Sequence, residues 1–395
     1  MKKFTKNSIA LLSCIALNSI TSIFIYTYLL AFILDVSNNS IINVAIFYLV
    51  LHVSMITLSW LIAPLFKKFN KALALKIGIV FKFVFVLVVV FLKDSIVNYV
   101  YIIAICNAFS EVLFWGGANP LQPMVTKNSS LTVFMSISKI LGTVISIVIP
   151  IFMGYLIDKI GIHIISITMI FIVAGQMILS FLINEKDMEV NTKLNYKQFT
   201  KQLKKTIPKS KSIYTNLFLY GVCSNVSMLI LYYTVITFGS NISLGVFSTI
   251  ASIMTIIVLT IYSAKKKMFN NWVTSAVSSV LIVVSMLLIM CKLNQVSLTV
   301  FYIFWHISIV VPEVVTSSQR FSIVKNEVLS KFNIENMTIS ETYLDSGRVV
   351  GETLLVLMGI LNNHVFNIFV LSFITIVIVI YLIHTVLVNK KSTGN

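Results

Sequence analysis

Apolar stretches long enough to cross a lipid bilayer follow one another along the whole chain, separated by polar segments. About 20 consecutive apolar residues span the hydrocarbon core as a helix. The pattern therefore predicts an all-α polytopic membrane protein with twelve transmembrane helices. Their predicted bounds are 8–34, 41–65, 73–92, 96–119, 131–156, 161–183, 213–237, 242–263, 272–291, 297–318, 339–361 and 365–388.

One longer polar segment divides this series of spans. Six predicted spans lie in residues 1–183, a basic connector covers residues 184–212, and six further spans lie in residues 213–395. Two equal sets of helices are typical of parallel internal repeats. Short matches favour such a repeat: Glu111 and Glu313 are each followed by Val, and Lys139-Ile-Leu-Gly142 corresponds to Arg348-Val-Val-Gly351. We therefore expect two six-helix halves.

Composition and charge support a membrane location. Hydrophobic residues make up 58% of the chain and charged residues 11%, whereas soluble domains have about 25% charged residues. The mean hydropathy is +0.96. The net charge is +17, and most of the 30 lysine and arginine residues fall in alternate loops and near both termini. Because cytoplasmic loops carry the excess of basic residues, both termini are predicted to be cytoplasmic, and the charge requires no nucleic-acid partner.

Charged residues within the predicted spans are the strongest functional signal. A charge in a spanning segment is costly unless it faces a polar interior, so such residues mark paths for substrates, ions or protons. The chain has three bases and five acids in these positions: Lys82, Lys139, Arg348, Glu111, Glu313, Glu341, Asp345 and Glu352. We therefore place the candidate functional site among them.

The first predicted contact joins Lys82 and Glu111. Their spans are consecutive and connected by a short loop, so the two helices are expected to be neighbours. The two residues also lie at a similar depth, about 12 to 14 Å from the cytoplasmic ends of their helices. We predict a buried salt bridge with a structural role, with a role in transport as the alternative.

The predicted eleventh span has a charged stripe. Glu341, Asp345, Arg348 and Glu352 fall within about 60° on a helix that turns about 100° per residue. Such a stripe must face protein or water rather than lipid. Acids outnumber bases inside the spans, and a carboxyl group without a cationic partner is suited to carrying a proton.

These considerations assign roles to the charges. We predict that Glu352 and Asp345 couple transport to protons, with Glu313 as an acidic partner from the tenth span. Arg348 and Lys139 are predicted to bind substrate or to act in gating. The alternative is that the charges form a structural network at an inner gate.

Polar and aromatic residues provide weaker candidates. Asn18 and Asn225 lie at comparable depths in spans one and seven, where they either bind a ligand or hold helices together. Trp115 and Trp305 are predicted to line an aromatic cavity, and packing or an interfacial position is the alternative.

The sequence resembles the major facilitator superfamily in its twelve spans, its basic middle connector and its cytoplasmic termini. The family pattern G-x-x-x-D-[RK]-x-G-[RK]-[RK] between spans two and three is partly present: Lys68 and Lys71 match, while both glycines and the Asp are replaced. In span five, Pro150 and Gly154 match part of the antiporter pattern GPxxGG. The resemblance implies a secondary transporter whose halves rock around a central site, and the second pattern favours export.

The predicted function is therefore proton-coupled efflux of a small molecule by a monomer in the cytoplasmic membrane. No cofactor or metal is predicted, because the four cysteines are scattered and no Gly-rich phosphate loop is visible. The alternatives are an uptake symporter, a lipid flippase, a non-transporting scaffold, or a membrane enzyme such as an acyltransferase. An enzyme would use His52 or His306, although buried core histidines are the favoured interpretation of both.

Overall fold

The computed structural model describes residues 5–68, 70–126, 131–183, 194–265 and 272–393. The regular elements within these ranges are all helical, which confirms the predicted fold class. The helices are α1 (Lys6–Val36), α2 (Ile41–Lys68), α3 (Lys71–Leu92), α4 (Val100–Val125), α5 (Leu131–Ile160), α6 (Ile162–Phe181), α7 (Tyr196–Thr206), α8 (Ser210–Ser224), α9 (Val226–Phe238), α10 (Asn241–Ala264), α11 (Trp272–Cys291), α12 (Gln295–Lys325), α13 (Asn333–Leu361) and α14 (His364–Thr393).

Ten helical stretches of the described chain are long and apolar enough to cross a bilayer. One of them, Lys71–Gln122, contains α3 and most of α4, which a 3₁₀ segment at Lys93–Tyr99 connects. Helix α13 is not among the ten, since its Asp345, Arg348 and Glu352 interrupt the apolar sequence. The described helices are therefore consistent with the twelve predicted spans.

The described residues form two compact units. The first contains those within residues 1–39, 57–193 and 240–249, and the second contains those within residues 40–56, 194–239 and 250–395. Helix α2 thus contributes its first part to the second unit, and α10 contributes its first part to the first unit. Each unit has its own buried charges.

In the first unit, α3 and α4 pack closely through glycines. Gly78 of α3 lies against the backbone of Phe114, and Gly117 of α4 lies against the backbone of α3. Small residues allow helix backbones to approach closely in a membrane. Their antiparallel register brings Lys82, one turn after Gly78, next to Glu111.

In the second unit, α8 and α13 make a similar contact. Gly221 of α8 lies against the carbonyl group of Leu344, and Gly347 of α13 lies against the carbonyl group of Phe218. Gly351 follows Gly347 after four residues and faces α8 as well. Two small residues at this spacing form a flat helix surface for close packing. The contact therefore fixes the rotation of α13, and with it the direction of the charged side chains on that helix.

The described part of the connector forms the amphipathic helix α7. Its Phe199 and Leu203 are buried in an apolar cluster whose other members are Ile213, Tyr214, Leu217, Ile323, Leu329, Phe332 and Val388. Before α7, the backbone N–H of Asn195 donates a hydrogen bond of 3.0 Å to the buried carboxylate of Glu335. These contacts hold α7 against the other helices of the second unit. Residues 184–193 of the predicted connector lie outside the described residues.

Candidate functional site

The largest group of buried charges in the described chain surrounds α13 in the second unit. Arg348 Nη1 lies 2.9 Å from Asp345 Oδ1, and the Asp345 side chain is fully buried. Glu341 pairs instead with Arg320 of α12, with 2.6 Å between Oε1 and Nη2. The predicted stripe is thus divided: Glu341 has its own cation, while Asp345, Arg348 and Glu352 remain close enough for their charges to interact.

Glu352 is bound to a histidine from a distant part of the sequence. His52 Nδ1 of α2 lies 2.5 Å from Glu352 Oε1, and both side chains are buried. The ring of Tyr48 stacks on the His52 ring, with 5.9 Å between centroids. The site therefore combines one imidazole, two carboxyl groups and one guanidinium group.

Two features distinguish this site from a fully paired structural network. Glu352 Oε2 and Asp345 Oδ2 are buried and have no hydrogen-bond partner among the described residues. Arg348, by contrast, keeps 24% of its side-chain surface exposed. The site thus has unused hydrogen-bonding capacity for a proton or a polar group, and Arg348 is less buried than Asp345.

Three other predicted residues of the second unit have different surroundings. The Asn225 side chain lies where α8 ends and α9 begins, and it donates hydrogen bonds to the carbonyl groups of Gly221, Val222 and Arg348. Asn225 therefore links the break between α8 and α9 to α13. Trp305 is buried in α12. Glu313 is exposed and within hydrogen-bonding reach of the Tyr220 hydroxyl.

The buried charges of the first unit are almost completely hydrogen-bonded. Lys82 Nζ lies 2.8 Å from Glu111 Oε1 and 2.5 Å from Asn18 Oδ1. Trp115 Nε1 donates to the other carboxylate oxygen of Glu111 at 3.0 Å. The structure thus brings together four of the residues singled out by sequence, in an arrangement in which both carboxylate oxygens have a donor.

Lys139 does not join either group of charges. It lies exposed on α5 and makes no ion pair with the residues that the structure describes. Its role in substrate binding or gating therefore stays a prediction. The side chain of Lys68 lies outside the described residues, and Lys71 begins α3.

The residues of the antiporter-like pattern lie at a helix contact in the first unit. The Tyr28 hydroxyl donates a hydrogen bond to the carbonyl group of Pro150. Gly245 of α10 packs against the same carbonyl, and Gly154 packs against the carbonyl group of Asn241. Asp158, one turn after Gly154, accepts hydrogen bonds from the start of α10. Pro150 and Gly154 therefore form the contact surface between α5 and the beginning of α10.

Sequence reasoning did not identify two of the partners of α13. It favoured a buried core position for His52 and did not single out Arg320, and each binds a carboxylate of α13. A histidine in an apolar span was an available signal, but its partner lies 300 residues away in the sequence. His306 is in ring contact with Tyr302, 4.7 Å between centroids. No cluster of side chains suited to a metal ion occurs among the described residues.

The chain shares its fold with solved membrane transporters that have the major facilitator fold. A mutant of the nucleoside transporter NupG matches 96% of this chain and 99% of its own length, with a TM-score of 0.69 and 12% sequence identity. A bacterial homologue of the iron transporter ferroportin in an inward-facing state matches 99% of this chain and 98% of its own, with a TM-score of 0.69 and 13% identity. No family model and no curated protein sequence matches the chain. The predicted fold is thereby confirmed at low sequence identity.

Proposed function

We propose that the protein is a secondary active transporter that exports a small molecule in exchange for protons. The observation that carries this proposal is the buried contact between His52 and Glu352 beside the Arg348–Asp345 ion pair. Ionisable groups at this depth are rare in membrane proteins and mark proton or substrate paths. The likeness to nucleoside and iron transporters supports transport as the general class of function.

The charge of the site depends on one proton. With one proton shared between them, His52 and Glu352 are together neutral, and the Arg348–Asp345 pair is neutral as well. Loss of that proton leaves one negative charge in a region with little water. Arg348 follows Asp345 by three residues and precedes Glu352 by four, so both carboxylates lie within its reach on the helix face.

In this arrangement, proton binding decides which carboxylate pairs with the Arg348 guanidinium group. When the His52–Glu352 pair is protonated, Arg348 stays with Asp345, which is the pairing in the structure. When the pair loses its proton, Glu352 competes for Arg348. Arg348 has the least buried side chain of the four. We therefore propose that it contacts the substrate and that its change of partner links substrate release to proton binding.

Export rather than uptake is supported by Pro150 and Gly154. They are the residues that match the antiporter pattern, and they form the α5 contact with α10. Glycines at this contact let the backbones of α5 and α10 approach closely, and we propose that the two helices move against each other there during transport. An uptake symporter would use the same charged site, so the direction of coupled proton flow distinguishes the two.

The test uses the purified protein in proteoliposomes that contain a pH-sensitive dye. A panel of small molecules is screened, and a substrate is expected to drive protons across the membrane in the opposite direction to its own movement. His52→Gln retains a hydrogen-bonding group for Glu352 but cannot share its proton, so we expect substrate binding to persist and the pH dependence of transport to shift. Substrate flux without proton flux in the unaltered protein would contradict proton coupling, and flux in the same direction would indicate a symporter.

A further inference from the structure

A carboxylate and a guanidinium group lie at one level of the second unit, on the consecutive, antiparallel helices α12 and α13. The ion pair between Arg320 and Glu341, with 2.6 Å between Nη2 and Oε1, shows where these helices face each other. Glu313 lies seven residues before Arg320 on α12. Arg348 lies seven residues after Glu341 on α13. Because seven residues make about two turns and about 10 Å of helix, Glu313 and Arg348 lie at a similar level on the facing sides.

Helix α8 lies against both of these helices near that level. Gly221 of α8 packs against the backbone of α13. The Asn216 side chain of α8 donates a hydrogen bond of 2.8 Å to the Thr316 hydroxyl of α12. One turn after Asn216, the Tyr220 hydroxyl is within hydrogen-bonding reach of Glu313. Three helices of the second unit therefore bring the carboxylate and the guanidinium group to one region.

Both charges keep part of their side-chain surface exposed. Arg348 pairs with Asp345 and is 24% exposed. Glu313 is exposed beside the Tyr220 hydroxyl. An exposed charge within a spanning helix faces a polar cavity rather than lipid, because the cost of placing it in hydrocarbon is high. The second unit thus presents one anion and one cation to a polar space, and each of the two has a different partner.

We propose that Glu313 and Arg348 together recognise a zwitterion, a small molecule with one anionic and one cationic group. The guanidinium group of Arg348 binds the anionic group, since its planar donors match a carboxylate. The Glu313 carboxylate, positioned by Tyr220, binds the cationic group. A ligand with a single charge would neutralise only one side chain and leave the other without a counter-ion after water is displaced. This inference rests on the proposed contact between Arg348 and the substrate.

The test measures ligand binding to the purified full-length protein in detergent, as a rise in the midpoint of thermal unfolding. Each ligand set contains a zwitterion, the amine that lacks its carboxylate and the acid that lacks its ammonium group. The sets are phenylalanine with phenethylamine and phenylpropionate, leucine with isoamylamine and isocaproate, and ε-aminocaproate with hexylamine and hexanoate. We expect a zwitterion to bind about tenfold more tightly than either counterpart, the effect of one hydrogen bond to a charged group. Binding of a single-charge counterpart as tightly as its zwitterion, or no binding by any set, would overturn the proposal.

Two matched variants test the assigned carboxylate. Glu313→Gln keeps an acceptor for the Tyr220 hydroxyl but loses the charge, so it should bind the zwitterion about tenfold more weakly and the acid counterpart equally well. Glu327→Gln, at an exposed acid beyond the end of α12, is the control and should bind both ligands as the unaltered protein does. Undiminished zwitterion binding by Glu313→Gln would show that the assignment is wrong. The ligand sets on the unaltered protein remain decisive even if a variant does not fold.

This result is separable from that of the proposed function. Binding is measured without a proton gradient, so a zwitterion that binds while its transport is uncoupled from protons would reject proton coupling alone. Conversely, a substrate with a single charge that drives protons in the opposite direction would reject the zwitterion and support proton-coupled export.

Discussion

The buried carboxyl groups of this protein differ in how completely their oxygens are hydrogen-bonded. Glu111 has Lys82 on one oxygen and Trp115 on the other. Glu352 and Asp345 each have one oxygen without a partner among the described residues. Removing a partner from a complete network leaves a buried charge, whereas an incomplete network has room to accept a proton. At the residue scale we therefore propose a stabilising role for Glu111 and proton exchange for Glu352.

Glu352→Gln tests this assignment. Gln keeps the size of the side chain and its hydrogen bond to His52, but it cannot release a proton. We expect proton-driven transport to be lost, while exchange of labelled for unlabelled substrate across proteoliposomes continues. Glu327→Gln, a change at an exposed acid, is the control and should leave both activities intact. Proton-driven transport by Glu352→Gln with an unchanged pH dependence would make Glu352 a structural residue.

At the scale of helices, glycine contacts determine which charges meet. Gly347 lets α13 approach the carbonyl group of Phe218 on α8, and Gly78 lets α3 approach α4. These contacts set the register of each helix pair to within a turn. The ion pairs then form between side chains that the packing has already placed together.

Replacing Gly347 should therefore destabilise the second unit. In Gly347→Val the new side chain meets the Phe218 carbonyl group, and overpacking of this kind costs about 1–3 kcal/mol. Gly175→Val on α6 is the matched control, because a side chain added there meets no atom within 4 Å. We expect a lower midpoint of thermal unfolding in detergent for the first variant only. Equal midpoints would mean that α8 and α13 can move apart to accommodate the new side chain without loss of thermal stability.

The Lys82–Glu111 pair links α3 and α4 and can be tested by paired substitution. Lys82→Met or Glu111→Met alone leaves a buried charge without its counter-ion and should cost about 3–5 kcal/mol. The double variant removes both charges and should recover most of the yield and thermal stability. Lys139→Met is the control, since this exposed lysine has no ion pair with the described residues. A double variant as unstable as the two single variants would point to a direct part in transport.

At the scale of the whole molecule, the distribution of basic residues sets the orientation in the membrane. The predicted outer side has only Lys93, Lys159 and Lys292 outside the apolar spans. The exposed lysines of α7, among them Lys205, belong to the predicted cytoplasmic side. Since basic loops are retained in the cytoplasm, this asymmetry predicts that both termini are cytoplasmic.

Cysteine labelling of intact cells checks this orientation. In a background in which the four native cysteines are changed to Ser, Lys159→Cys and Lys292→Cys should react with a membrane-impermeant maleimide. Lys205→Cys should react only after the cells are permeabilised, because its helix is predicted to lie on the cytoplasmic side. The reverse labelling pattern would invert the orientation and reject the positive-inside assignment.

The sequence by itself determined the features that depend on neighbouring residues. Spans are set by local apolar length, and the helical turn of about 100° per residue places Asp345, Arg348 and Glu352 on one side of α13. The short connection between α3 and α4 also made Lys82 and Glu111 natural neighbours. The resemblance to the major facilitator fold followed from the number and grouping of the spans.

Only the tertiary structure decided which partner each charge takes. His52 reaches Glu352, Arg320 takes Glu341, and Lys139 stays exposed on α5. The physical reason is that partner choice depends on helix rotation and packing between segments far apart in the chain. That rotation is fixed by contacts such as Gly221 against Leu344, where the absence of a side chain matters. Apolar periodicity in one helix contains no information about the glycine surface of another.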